Sequence, residues 1–573
     1  MAPQADSTGS TMPPVGGETA AAVAGLALRG EATPGPARRP AASIARGAMI
    51  IAGLTMLARI LGLVRTLVFS QTIGADCLGT AYVTASQVPN LVYELVLGGA
   101  LTSAMVPVLA RHAERAADDQ AERDRVSQIT SALLTWSVII LVPASLIILF
   151  SAGPIASLLN PANASAHCSR AEVVATTGSM LRVFAPQILL YGLSVVLFGL
   201  LQAYRRFTGP ALAPMIASFV LIASYFAFVP LGRGFPLARL PLSAQLVLSV
   251  GATAGVAALV VVGLIPSWRL HLRIRPLLRF PPGVARRTGG LALVGVIELL
   301  ASDVSNVVAI ALANGHGETG AVVITNYTSQ VFFALHAVLA LSIALSAFPV
   351  LSARDGAVFD RTCAASTRAV VLMSWLGAAV IVAIAVPAGY VLARQQNQVP
   401  QLIEGFVLFA PGLLAMGLIA NLSRVMFVLG RLMVAAWALT GSFLVITVAD
   451  VVLVELVPAR LVVAALALGN TIGLTVAAIP LVFITRRIRG AAAVEGVNRA
   501  TLAGLAAAVA GAAVGVGISL LLPMSHKLVD AGVAVVAAGS AVIVFGAVAY
   551  LLDDGDLRVV LARLQKLRRL RRS

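Results

Sequence analysis

Residues 86–112 read SQVPNLVYELVLGGALTSAMVPVLARH, and residues 329–355 read SQVFFALHAVLALSIALSAFPVLSARD. SQV, then SA, then PVL recur at an offset of about 243 residues, with one deletion before the last. A second pair, SFVLI from Ser218 and SFLVI from Ser442, repeats in the same sense. These stretches fall in the second and eighth, and the fifth and eleventh, of about fourteen hydrophobic runs. Helices 1–6 are therefore expected to return as helices 7–12. An even number of helices per unit gives both halves one orientation, related by an axis along the membrane normal.

The runs extend from 47–73 to 529–552, each of roughly 20 residues or more, as a hydrocarbon core of about 30 Å demands. Composition agrees: 59% of the 573 residues are apolar and 11% charged, with a mean hydropathy of +0.94. No single soluble core hides that much apolar surface. The expected fold is an all-α polytopic membrane protein of about 14 transmembrane helices. Two pseudo-symmetric six-helix bundles, 46–266 and 288–485, enclose a central cavity, and helices 13 and 14 follow within 486–552. A basic linker covers 267–287, a disordered N-terminal tail 1–45 and a basic tail 553–573.

The formal net charge of +17 invites a nucleic-acid reading, but its placement argues otherwise. With both termini cytoplasmic, the inner segments hold roughly 31 Lys+Arg against about 6 outside, the asymmetry that orients multi-pass plasma-membrane proteins. The terminal LARLQKLRRLRRS reads as an anchor to anionic lipids, and no nucleic-acid partner is expected. Cys77, Cys168 and Cys363 are too few and scattered for a metal site. Cys77 and Cys168, both in external turns, are expected to be free thiols.

Four arginines remain inside helices: Arg59, Arg65, Arg182 and Arg424. Each costs on the order of 3 kcal/mol at a helix centre, so it is retained where it faces protein or water. In LTMLARILGLVRTLVFS (54–70), Arg59 lies about 20 Å along the helix from Arg46, too deep to snorkel out. Thr55, Arg59, Gly62 and Thr66 form one polar stripe, with Arg65 on the same broad face. The bland alternative pairs each arginine with a buried carboxylate, from Glu94, Glu298, Asp303 or Asp450. His336 and the other histidines read as surface or packed residues.

LARILGLVR, then IGADCLGTAYVTASQVPNLVYELVLGGALTSAMVPVLAR, then YRRFTGPALAPMIAS with Pro210 and Pro214, resemble the lipid II flippase family (MurJ or MviN) of actinobacterial type. The resemblance implies the multidrug/oligosaccharidyl-lipid/polysaccharide exporter fold and transfer of the lipid-linked peptidoglycan precursor, lipid II, between leaflets for cell wall biogenesis. It places cavity arginines of helix 1 on Arg59 and Arg65 and a basic position of helix 10 on Arg424. Arg182 is added as a substrate-binding candidate. Gln330 stands where many members carry an arginine, and Tyr93 and Glu94 where some carry a basic pair. Arginine suits a diphosphate, because its donor fork binds two oxygens and stays charged when desolvated.

No GxxxxGK[ST] occurs, so no ATP hydrolysis by this chain is expected, nor any cofactor. The resemblance allows a cation site among helices 7, 11 and 12, where Asp303, Asp450 and Thr471 offer oxygens, so that Na+ or the membrane potential would supply the energy. Other readings are a non-transporting scaffold for wall-synthesis proteins, a flippase for another polyprenyl-diphosphate-linked glycan, a drug exporter and a membrane-embedded enzyme. The last lacks a cluster of carboxylates or histidines in its loops.

Overall fold

The computed structural model describes residues 41–96, 109, 112, 113, 115, 119–161, 168–278 and 289–552. Among them all regular structure is helical. The expected tail over 1–40, residues 97–108 of the second span, the end of the linker (279–288) and the basic tail 553–573 lie outside the described residues.

Helix α1 spans Ala41–Thr72, starting five residues ahead of the expected boundary, and α2 spans Cys77–Val96. Then come α3 (Gln120–Phe150), extended by a short piece Ala152–Leu159, and α4 in two pieces, Arg170–Phe184 and Gln187–Ala203. The first half closes with α5 (Thr208–Gly232) and α6 (Leu242–Trp268). The second half holds α7 (Gly289–His316), α8 (Ala321–Leu335, a π turn His336–Leu341, and Ser342–Ser352) and α9 (Gly356–Leu392). It continues with α10 (Gln398–Phe409 and Gly412–Val428), α11 (Leu432–Leu456) and α12 (Val462–Arg489). Finally α13 covers Val497–Leu521 and α14 Lys527–Leu552. Among the described residues, 12 stretches, α3 to α14, are long and apolar enough to cross a membrane.

The repeat is visible in the packing. Helix α1 lies on α5, α2 on α4, and α5 on α6; correspondingly α7 lies on α11, α8 on α10, and α11 on α12. A third repeated stretch underlies it: FAPQILLYG (184–192) and FAPGLLAMG (409–417). Pro186 and Pro411 sit where α4 and α10 each break into two pieces. A proline removes one helical N–H and crowds the preceding turn, so the same dipeptide bends both helices at equivalent points.

Helices α13 and α14 pack on α9 and on each other. In lipid such packing rests on close approach of small residues rather than on hydrophobic burial. A Cβ on Gly511 would stand 2.8 Å from the Ala541 carbonyl of α14, and one on Gly515 would overlap Ala383 of α9. Lys527, at the head of α14, donates to the Tyr390, Val391 and Ala393 carbonyls at the end of α9. A cation there meets the negative end of the helix dipole.

Candidate functional site

Helix α1 carries the arginines past α5 and towards the second half. Arg59 is exposed and Arg65 half-buried, while the Thr66 hydroxyl turns back onto the Gly62 carbonyl at 3.1 Å. The side chain of Thr55 lies outside the described residues. No ion pair joins Arg59 or Arg65 to a described carboxylate, so the bland alternative finds no support at either position.

Two groups form around these cations. The Arg59 charge bears on His336 of α8, and so does the charge of Arg424 from α10. Arg424 is 4% exposed and turns one donor back onto the Ala420 carbonyl of its own helix. His336 is 5% exposed, begins the π turn of α8, and has an Nδ1 atom with no hydrogen-bond partner among the described residues. Single π turns concentrate at functional positions. The charges of Arg59 from one half and Arg424 from the other thus both reach His336. Gln330 is half-buried two turns before His336 on α8.

Nearly two turns further along α1, the Arg65 charge bears on the phenols of Tyr82, Tyr191 and Tyr225. Phe69, four residues past Arg65, packs on Tyr82 at 5.4 Å, Tyr225 at 5.3 Å and Tyr327 of α8 at 6.2 Å between ring centres. The two phenol oxygens of Tyr82 and Tyr225 are 3.3 Å apart. These rings roof the arginines on the side of the α1–α2 turn, and Tyr327 brings the second half into the roof.

At the roof and beyond it a polar latch joins the halves. Asn314 of α7 donates from one amide to both Thr84 Oγ1 of α2 and the Leu159 carbonyl, each at 2.9 Å. Gln398 donates to the Ala75 carbonyl at 2.7 Å, and Gln71 to the Val391 carbonyl at 2.7 Å. Arg394 donates to the Ile73 carbonyl at 2.7 Å and stands 3.8 Å from Asp76. Burial lifts the Asp76 carboxyl above its ordinary range, against the pull of the Gly79 amide and Arg394. Gly320 has φ +85°, and a Cβ there would overlap Ala75, so glycine is required for the α7–α8 turn to meet the α1–α2 turn. The end of the bundle that carries these turns is shut.

Other residues named from the sequence lie elsewhere. Arg182 belongs to an exposed stripe of α4 with Ala171, Ala175 and Pro186. It lies about 200° around the helix from Phe184, which joins the roof through Tyr82, so the structure does not bring it to the other arginines. Asp450 of α11 is 2% exposed, and its Oδ1 lies against Gly469 of α12 with no hydrogen-bond partner among the described residues. Asn470, the next residue, also has a buried unpartnered Oδ1. The Thr471 hydroxyl donates to the Leu408 carbonyl at 2.7 Å. Asp303 is separate: His316 pairs with Glu455 at 3.3 Å, which marks the register of α7 on α11. From that pair Asp303 is 13 residues down and Asp450 five, an axial offset of about 12 Å at 1.5 Å per residue. The charge that bears on Asp303 is that of Glu94.

Cys77 and Cys168 are not free thiols. They form a disulfide with Cα atoms 5.7 Å apart, whereas Cys363 is free and buried. Cys77 opens α2 and Cys168 lies two residues ahead of α4. Those helices start on the same side and lie together, which brings the turns ahead of α2 and α4 within bonding distance.

A family model described as lipid II flippase MurJ matches residues 69–538. A lipid II flippase MurJ of Burkholderia cenocepacia is 28% identical over 185 residues, 32% of this chain and 34% of that protein. A probable lipid II flippase MurJ of Synechocystis is 25% identical over 268 residues, 46% of each. One of Rhizobium tropici is 25% identical over 315 residues, 54% of this chain and 55% of that protein. The matched stretches thus span between a third and just over half the length of these curated relatives. In fold, the chain is similar to a lipid II flippase MurJ solved in an inward closed conformation, with a TM-score of 0.67 at 16% identity, covering 88% of this chain and 99% of that one. It is similar also to an inward-facing multidrug resistance transporter of the MATE family, with a TM-score of 0.60 at 17% identity, covering 76% and 95%.

Proposed function

Because the chain belongs to the lipid II flippase MurJ family, we propose that it moves lipid II from the inner to the outer leaflet of the plasma membrane by alternating access. The observation that carries this reading is the cationic group drawn from both halves, Arg59, Arg65 and Arg424 with His336, beneath a shut external side. A diphosphate crossing hydrocarbon needs its water replaced by fixed donors, and guanidinium forks do this while staying charged. Among the described residues Arg59 and Arg65 have no carboxylate partner, because in this reading their counterion is the cargo. Rocking of the two halves about the site would then open it to each leaflet in turn.

Both termini are cytoplasmic in this reading, consistent with the excess of Lys+Arg on that side. For energy, a monovalent cation such as Na+ fits the Oδ1 atoms of Asp450 and Asn470, which are buried and without a partner among the described residues. A bound cation would neutralise the buried Asp450 carboxylate. Asp303 lies too far down α7 to share that site.

The test is depletion of the protein followed by a leaflet-resolved assay of lipid-linked precursors. Lipid II should accumulate in the inner leaflet. An unchanged distribution of lipid II would refute the reading and point to a scaffold or to another polyprenyl-diphosphate-linked glycan.

A further inference from the structure

At the end of α6 the chain reverses. Leu270 and His271 close a turn onto the Ser267 and Trp268 carbonyls, with His271 at φ +51°, and residues 272–278 run back along α3 in extended form. Three hydroxyls of α3 hold them. Ser127 donates to the Arg273 carbonyl at 2.5 Å, and the Arg275 and Leu277 amides donate to Ser131 Oγ and Thr135 Oγ1 at 3.1 Å each. Trp136 Nε1 adds a bond to the Leu278 carbonyl at 3.1 Å. The spacing explains the fit: four helical residues advance about 6 Å, and two extended residues about 6.6 Å. Leu270 and Leu272 pin the strap onto a small cluster around Val126, Ile129 and Leu200.

The outer surface of this strap is basic and apolar at once. Arg269, Arg273 and Arg275 are exposed and make no ion pair among the described residues. Beside them Trp268 is 77% exposed, Ile274 51% and Leu278 62%. Their depth follows from α3. About 20 residues span the hydrocarbon, so counting back from Phe150 puts its inner edge near Ser131, at the rung of Arg275 and one rung past that of Arg273. Trp136 and Trp268 then sit at the level where tryptophan collects at membrane interfaces.

We propose that the strap 268–278, clamped to α3, is a docking site for the headgroups of anionic phospholipids of the inner leaflet. The three guanidinium groups meet the phosphates, and Trp268, Ile274 and Leu278 enter the acyl boundary beside them. The hydroxyl ladder fixes the arginines at headgroup depth, where a loose linker would trail in water.

The test uses the full chain with Trp375→Phe and Trp437→Phe, which leaves Trp136 and Trp268 as reporters on the strap. The protein is reconstituted into phosphatidylcholine vesicles with brominated phosphatidylglycerol or brominated phosphatidylcholine, and quenching gives the relative occupancy of the two lipids. Each arginine near an anionic surface favours it by about fivefold, so phosphatidylglycerol should be preferred at least about fivefold. The preference should fall to near unity in Arg269→Gln/Arg273→Gln/Arg275→Gln. It should also fall in Ser127→Ala/Ser131→Ala/Thr135→Val, which keeps every charge but releases the ladder. Equal quenching in the parent protein, or a preference that survives either variant, overturns the proposal. So does displacement of phosphatidylglycerol by a few mole per cent of a polyprenyl diphosphate, which would make the strap a cargo site. The readout is lipid contact, not transport, so it stands or falls separately from the flippase reading.

Discussion

Asn314→Ala removes the one amide that ties α7 to both α2 and the end of the α3 extension. Asn314 is 5% exposed and Thr84 is fully buried, so the Thr84 hydroxyl and the Leu159 carbonyl lose a partner without gaining bulk water. Two buried hydrogen bonds at about 1 kcal/mol each come to about 2 kcal/mol. That weight favours an open external side by about 30-fold, at 1.4 kcal/mol per tenfold. The assay is labelling of Ser86→Cys, two residues inward of Thr84, by a membrane-impermeant maleimide added outside. When opening is fast and rare, the labelling rate follows the open population and should rise by about 30-fold. Gln396→Cys, already in an external turn, should label equally in both backgrounds and so controls for expression and insertion. A change below about threefold at Ser86→Cys, with the control unchanged, would refute the latch.

Arg59→Ala should abolish complementation of a depletion strain while the protein accumulates normally, and Arg59→Lys should rescue it only in part, a point charge lacking the fork; Arg182→Ala, on the stripe turned away from the roof, should complement. Asp450→Asn should remove any dependence of transport on Na+, whereas Asp303→Asn should leave that dependence intact. Reduction of the purified, denatured protein should raise its mass by about 2 Da and release Cys77 and Cys168 as thiols in addition to Cys363; no shift would exclude the disulfide. Cysteine labelling should find Pro276 cytoplasmic and Gln396 external, and swapped labelling of the pair would invert the proposed orientation.

The repeat could be read from SQV…SA…PVL because a duplicated helix keeps its hydropathy and its punctuation together. The helix breaks were harder to see, since FAPQILLYG and FAPGLLAMG are as apolar as the helices around them and hydropathy does not register a bend. At the site, Arg59, Arg65 and Arg424 stood out as cations in apolar helices, an insertion cost that calls for a cause. His336 did not, because its position depends on a π turn in α8, a backbone register that no residue type announces. The Cys77–Cys168 bond depends on α2 and α4 lying side by side, and the separation of Asp303 from Asp450 on how α7 slides along α11. Both are matters of tertiary register, and the His316–Glu455 contact marks the second.

The division of the cations between the halves has a mechanical consequence under the proposed function. Arg59 stands on the first half and Arg424 on the second, both bearing on His336, so closing the halves around an empty site drives like charges together. At an effective dielectric near 20, two like charges about 10 Å apart repel by roughly 1.7 kcal/mol, which sets the scale for cations drawn from opposite halves. A diphosphate brings the opposite charge to the same place and turns that repulsion into attraction. Occlusion is then favourable with cargo and unfavourable without it, so the differential affinity that any ligand-driven population shift requires comes from placing the arginines on opposite halves. Gathering all of them on α1 would bind the same diphosphate and leave the empty carrier free to cycle.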